Sequence, residues 1–498
     1  MMKNSPYPAI SAEEAATFVN HGDTVAFSGF SPAGSAKVVP TALSGYAKDV
    51  REKGEPFRLR VLTGASSSCS IDHLLAQAGA IEWRAPYQAD PFLRQQINKG
   101  DVEYVDMHLS HVPQTVAFGF FGKIDLAVIE ATEITPDGRV YLTSSIGASP
   151  TYLHHAEKII IELNRSQSPR LREMADIVMM PPPPNRSPVA IFEPCTRIGW
   201  PYATVDPKKV VGVVESDEPD YVPDFNIADP ASRKISDHVV NFLLKEMKEG
   251  RIPPAFLPLQ AGVGNVANSV LSVLGAHPDI PPFTMYSEVF QDAMADLMRG
   301  GKLTGASATS LTLSTGSMQS IYEDFEFYAS RIVLRPQEIS NHPGVIRRLG
   351  VIAMNTVMEA DIYGNANSSH VYGMDVMNGV GGSGDFTRNS YLSILMTPSI
   401  AKGGRISTIV PMCPHIDNNE HSVQVIVTEQ GLADLRGLGP ASRAREMISR
   451  CAHPMYREYL ERYVADSRGG HIRHDLSRCF ELHRNLLEYG SMLPEGME

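Results

Sequence analysis

Residues 256–274 read FLPLQAGVGNVANSVLSVL. An apolar run ends in a glycine turn, Gly262-Val-Gly264, and an apolar-periodic stretch follows from Asn265. This predicts a buried strand, a tight loop and a helix, the repeating unit of an α/β sheet. The chain opens on the same pattern. Ser11-Ala-Glu-Glu14 is a capping box and predicts a helix from Ala12. DTVAFSGF (23–30) predicts a strand, SPAG a loop and KVVPTALSGYAKDV (37–50) a helix. FRLRVLTG (57–64), KIDLAVIEATEI (123–134), AEKIIIEL (156–163) and KKVVGVVES (208–216) continue the series of buried, β-branched strands. Strands of this kind alternating with helices predict open, mainly parallel sheets. MMPPPPNRSP (179–188) cannot be helix interior and reads as a linker or a long surface excursion. DHVVNFLLKEMKEG (237–250) predicts a helix ending at Gly250. The expected architecture is two similar open, mainly parallel α/β domains, residues 1–220 and 221–498.

Composition narrows the function. With 498 residues, 43% hydrophobic and 20% charged, the chain can bury ample core. Lys and Arg total 44 against 56 Asp and Glu, a net charge of −12, which argues against nucleic acid as a partner. Five scattered cysteines without a C-x-x-C pair point to a reducing compartment. The N-terminus carries no signal-peptide core and no apolar run is long enough to span a membrane, so a cytoplasmic enzyme is expected.

Gly262–Ala267 fits G-x-G-x-x-A and Gly379–Gly384 fits G-x-G-x-x-G. Neither has the context of a dinucleotide site. Asp279 lies in a proline-flanked loop, and DFTRNSYLSI after Gly384 shows no continuous helix face. The better reading is two loops whose backbone N–H groups approach a ligand, with a structural turn as the alternative. A Walker A loop, an H-E-x-x-H zinc motif and a G-x-S-x-G elbow are all missing. Cys413, His415, Asp417 and His421 lack paired metal-ligand spacing and read as a polar loop, so no metal is expected.

Glu288 closes the apolar run of IPPFTMYSEVF. A carboxylate at the end of a buried strand is desolvated and so more nucleophilic, although an exposed glutamate is the commoner case. Glu429, in VQVIVTEQGLADL, shares that setting. Lys402 beside a glycine pair could meet a phosphate or carboxylate, or be an ordinary solvated lysine. Asn341, Asn365 and Asn378 are turn-type residues.

Longer motifs go further. DTVAFSGFSPAGS, VLTGAS, FLPLQAGVGNVANSV, MYSEV, RRLGVIAMN, NGVGGSGDFTRNSYLSI, VTEQGLADLRGL and CAHPMYREYL cover nearly the whole chain. In them the sequence resembles the class I coenzyme A-transferases of the acetyl-CoA hydrolase/transferase family. The resemblance implies that Glu288 is a covalent nucleophile and that Gly264 and Gly382 donate to oxyanions. It implies that Val263, Gly264, Asn265, Val266, Ala267, Met358, Asn378, Gly382 and Lys402 contact CoA. Asn341 and Glu429 would line the acyl and carboxylate site. Coenzyme A would be a substrate with no prosthetic group, the partners would be an acyl-CoA and a short-chain carboxylate or dicarboxylate, and the assembly would be a homodimer. The implied reaction is propionyl-CoA plus succinate to propionate plus succinyl-CoA. Succinyl-CoA:acetate transfer and acetyl-CoA hydrolysis are the alternatives.

Overall fold

The computed structural model describes residues 6–184, 186–222 and 229–493. Two sheets organise the chain. The first contains β1 (Thr24–Phe27), β2 (Leu59–Leu62), β3 (Ile81–Ala85), β4 (Glu103–Tyr104), β5 (Leu126–Ile134), β6 (Arg139–Leu142), β7 (Lys158–Asn164), β8 (Ala203–Thr204) and β9 (Val210–Ser216). Its parallel strands lie in the order β4-β3-β2-β1-β5-β7-β9, and β6 and β8 add an antiparallel flap beyond the end of β5.

The second half begins with β10 (Leu259–Ala261), β11 (Phe283–Tyr286), β12 (Val289–Phe290), β13 (Leu303–Ala308), β14 (Ser310–Leu311), β15 (Ile332–Leu334) and β16 (Ile352–Thr356). Short ribbons β17 (Glu359–Asp361), β18 (Ala366–Asn367), β19 (His370–Val371) and β20 (Asp375–Val376) precede β21 (Leu392–Met396). After it come β22 (Ile400–Ala401), β23 (Ile406–Ser407), β24 (Ile409–Val410), β25 (Val425–Thr428) and β26 (Gly431–Asp434). The main sheet runs β15-β13-β11-β10-β16-β21-β25-β26, parallel except for the last pair. From β4 to β9 and from β15 to β25 the two orders are the same, strand for strand. The similarity read in the patterning is therefore one of topology. Among the described residues no helix is long and apolar enough to cross a membrane.

Local signals explain most boundaries. Ser11 caps the helix Ala12–Ala16 by accepting the Glu14 N–H at 3.0 Å. The helix expected from Asp237 begins earlier and spans Pro230–Lys248, because Asp229 caps it and Pro230 occupies its first turn. A seven-residue helix, Ser383–Asn389, does follow the second glycine loop, against the expectation that none would. β3 was not foreseen because Glu82 and Arg84 interrupt its apolar run. Arg84 is fully buried and paired with Asp72 at 2.8 Å.

The proline-rich stretch belongs to an excursion from the first half that wraps onto the second. Val189 and Ile191 pack with Tyr286, Ile339, Val345 and Phe386. Asp176 pairs with Arg335 at 3.0 Å, both fully enclosed. Asn185 and the segment 223–228, next to the join expected near residue 220, lie outside the described residues.

Candidate active site

β11 carries Phe283–Tyr286 into the sheet between β10 and β13. The chain then breaks for Ser287 and Glu288 before pairing again as β12 against β14. The Glu288 carbonyl accepts N–H bonds from Thr309 at 2.6 Å and Ser310 at 3.2 Å, which fixes the backbone at the break. The Ser287 hydroxyl donates to the Ala261 carbonyl and the Gln291 amide to that of Gly262, both at 3.3 Å. These bonds tie the first glycine loop to the glutamate's segment. Gly264 has φ +127°, a conformation that side-chain-bearing residues avoid, and caps the helix Asn265–Ala276.

Glu288 is 9% exposed. Its Oε1 accepts a 2.7 Å bond from Asn341 Nδ2, and Asn341 is fully buried at the end of the short helix Gln337–Ser340. The carboxylate also lies against Gly382, where any Cβ would overlap it. Burial pushes the Glu288 carboxyl up to about 7; the Asn341 bond pulls it down and Asp385 raises it further. The exposed alternative for Glu288 is thereby set aside.

The second glycine loop is held from the first half. Val380 N–H donates to both carboxylate oxygens of Asp106, each at 2.9 Å. Asp385 accepts from the Ser110 N–H at 3.0 Å and its hydroxyl at 2.7 Å. Burial raises Asp106 to about 7, while the Val380 N–H favours its ionised form. Neither aspartate stood out in the sequence, because each acts across two halves that are far apart in the chain.

A cleft of about 590 Å³ opens onto Glu288 and is walled by both halves. Val263, Met358, Asn378 and Gly382 line it with the glutamate. Asn265 and Val266 stand at the helix start, half-buried. Ala267, in the same first turn, is fully enclosed in the core. Lys402 is exposed on the turn between β22 and β23 and does not line this cleft. Glu429 occupies the hairpin turn between β25 and β26, also outside the cleft lining. Burial raises its carboxyl, but bonds from Ser399 and Gln430 outweigh that and hold it below the usual range. Asp417 accepts from the Ser368 N–H and Ser369 hydroxyl and lies 3.1 Å from His415, so this loop does form a hydrogen-bonded network. Ser31, which the sequence reading passed over, takes φ +53° on the cleft wall and bonds Thr312 of the second half.

A desolvated carboxylate pinned between an amide and a glycine backbone, in a cleft between two matching α/β halves, is an arrangement for covalent catalysis on an activated acyl group. Comparison with known proteins shows the family. The acetyl-CoA hydrolase/transferase N-terminal domain profile matches residues 1–215, and the C-terminal domain profile matches residues 317–464. The chain belongs to the acetyl-CoA hydrolase/transferase family. It is 58% identical over 484 residues to the propanoyl-CoA:succinate CoA transferase of Escherichia coli K12, covering 97% of this chain and 98% of that one. It is 44% identical over 486 residues to the succinyl-CoA:acetate CoA-transferase of Clostridium kluyveri, covering 97% and 90%. Among solved structures, RipA from Yersinia pestis shares the fold with a TM-score of 0.69 at 22% identity, over 91% of this chain and 96% of that one.

Proposed function

We propose that this protein is a class I CoA-transferase that converts propionyl-CoA and succinate to propionate and succinyl-CoA, with Glu288 as nucleophile. The observation that carries the reading is the buried Glu288 carboxylate held between Asn341 and Gly382. Ionised Glu288 attacks the thioester carbonyl, forming a mixed anhydride and releasing CoA thiolate. The thiolate attacks the glutamyl carbonyl, leaving a glutamyl-CoA thioester and free propionate. Succinate then attacks that thioester, giving a succinyl-glutamyl anhydride and thiolate. Attack of the thiolate on the succinyl carbonyl yields succinyl-CoA and restores the carboxylate. One thioester replaces another, so no phosphate energy is required.

Asn341 Nδ2 and the Gly382 N–H supply donors where negative charge builds up on the tetrahedral oxygens. Val263, Met358 and Asn378 contact CoA along the cleft. The first turn of the helix Asn265–Ala276, whose leading N–H groups have no partner within the helix, adds positive potential beside it. A homodimer and a cytoplasmic setting belong to the same reading.

The test is mass spectrometry after incubation with propionyl-CoA, followed by peptide mapping. A CoA adduct on the Glu288 peptide, discharged by succinate to succinyl-CoA, is the expected result. Consumption of the thioester with free CoA and no succinyl-CoA would instead assign a hydrolase.

Gly382→Ala is expected to lower exchange by about 100-fold or more, since its methyl group displaces the reacting carboxylate. The chain should still fold, because Gly382 has φ −86°, which alanine adopts freely. Steady-state exchange beside a thermal melt separates the two effects.

A further inference from the structure

We infer that a small apolar wall beside Glu288, made by Phe30, Ala65, Tyr87, Leu109 and Val289, receives the acyl chain, and that Ala65 limits its length. The inference rests on the transferase reading and names the part of the site that meets the alkyl chain of the acyl-CoA donor. These five residues form a cluster of their own, apart from the larger cores that support the sheets. All five line the cleft that holds Glu288. Phe30, Ala65, Leu109 and Val289 are at most 7% exposed, so the wall is packed and offers a fixed shape.

Its position follows from the chain. Val289 is the residue after the nucleophile, whereas the other four come from the first half. The wall therefore exists only where the halves meet. Two bonds to its backbone carbonyls hold it: the Gln337 side-chain amide donates to the Leu109 carbonyl at 3.0 Å, and Ser31 N–H donates to the Ala65 carbonyl at 2.9 Å. Glu288 is the one charged side chain among the described residues lining the cleft, and none of those residues is Lys, Arg or His. A surface of this chemistry suits a short unbranched alkyl segment, and within a hydrophobic pocket one methylene changes selectivity by roughly 10–200-fold. Ala65 is the member whose side chain ends at Cβ, so enlarging it shortens the space directly.

Single-turnover formation of the CoA adduct, measured with acetyl-, propionyl- and butyryl-CoA, tests this. Ala65→Val should lower the propionyl-to-acetyl ratio of kcat/KM by about 10-fold or more. Leu109→Ala, which opens the wall instead, should raise the butyryl-to-propionyl ratio by a similar factor. Circular dichroism checks that each variant is folded, and if Ala65→Val is not, Leu109→Ala decides alone. Unchanged ratios in folded variants would overturn the inference while leaving the transferase reading intact. If the wild-type protein forms no adduct on Glu288, the transferase reading fails and takes the inference with it.

Discussion

Glu288→Gln should abolish CoA exchange, lowering kcat by about 10⁴-fold or more, while the protein folds normally. Glutamine keeps the shape of the side chain and leaves Asn341 an amide oxygen to donate to, so the surrounding hydrogen bonding survives. What disappears is the oxygen nucleophile. Without it neither anhydride nor glutamyl thioester can form, and the CoA adduct should vanish from the mass spectrum together with turnover. Normal exchange by this variant would remove Glu288 from the mechanism. In the wild type the reactive form is the carboxylate, and burial holds its pKa at about 7. The rate of adduct formation should therefore rise with pH through about 7 and fall on the acid side. Stability runs the opposite way. The folded pKa lies above the ordinary value of 4.5, so this group's contribution is fully present below about 4.5 and is lost as pH rises through 7. The glutamine variant lacks that loss, and urea midpoints measured at acid and neutral pH would show it.

Arg335→Met should destabilise the fold by about 3–5 kcal/mol, the usual result of removing one partner from a buried ion pair. Arg335 follows β15 and reaches into the excursion from the first half. It meets Asp176 at 3.0 Å and the Pro194 carbonyl and Ser307 hydroxyl at 2.8 Å each, and also bonds the Thr196 carbonyl. Methionine fills most of the volume but leaves the Asp176 charge enclosed and two carbonyls without a donor. The Ile198 and Gly199 N–H groups still bond Asp176, so part of its solvation remains. Adding Asp176→Leu removes the stranded charge and should recover a substantial share of the loss. Equilibrium urea unfolding of the single and double variants measures both, and a loss below about 1 kcal/mol in the single variant would contradict this account of the ion pair.

Much of this molecule is visible in the sequence, and what escapes has physical causes. Strand, glycine turn and helix at 256–274 could be read directly, because apolar periodicity and glycine placement are local properties. Glu288 could be singled out from its buried strand, but only the fold shows what surrounds it. Asn341 has the look of a turn residue, yet its amide serves the glutamate 53 positions away. The second glycine loop looked like a failed dinucleotide motif. Its use of glycine comes from contact with Glu288, which depends on how the strands are ordered. Asp106 and Asp385 could not be foreseen, because each binds a group about 275 residues distant. Lys402 and Glu429 have local settings that invite a role, and neither is among the residues lining the cleft.

The matching strand order has a stoichiometric reading. β2 and β11 hold corresponding places in the two sheets, and two positions beyond their ends lie Gly64 and Glu288. A side chain at Gly64 would strike the Gly29 carbonyl and the Gln337 amide, so no carboxylate fits there. The next positions, Ala65 and Val289, stand together in the apolar wall. Two frames of matching strand order are thus used unequally: one holds Glu288, and the other contributes part of the wall around it. On the proposed reading each chain has one reactive centre among its described residues, although its scaffold contains the frame for two.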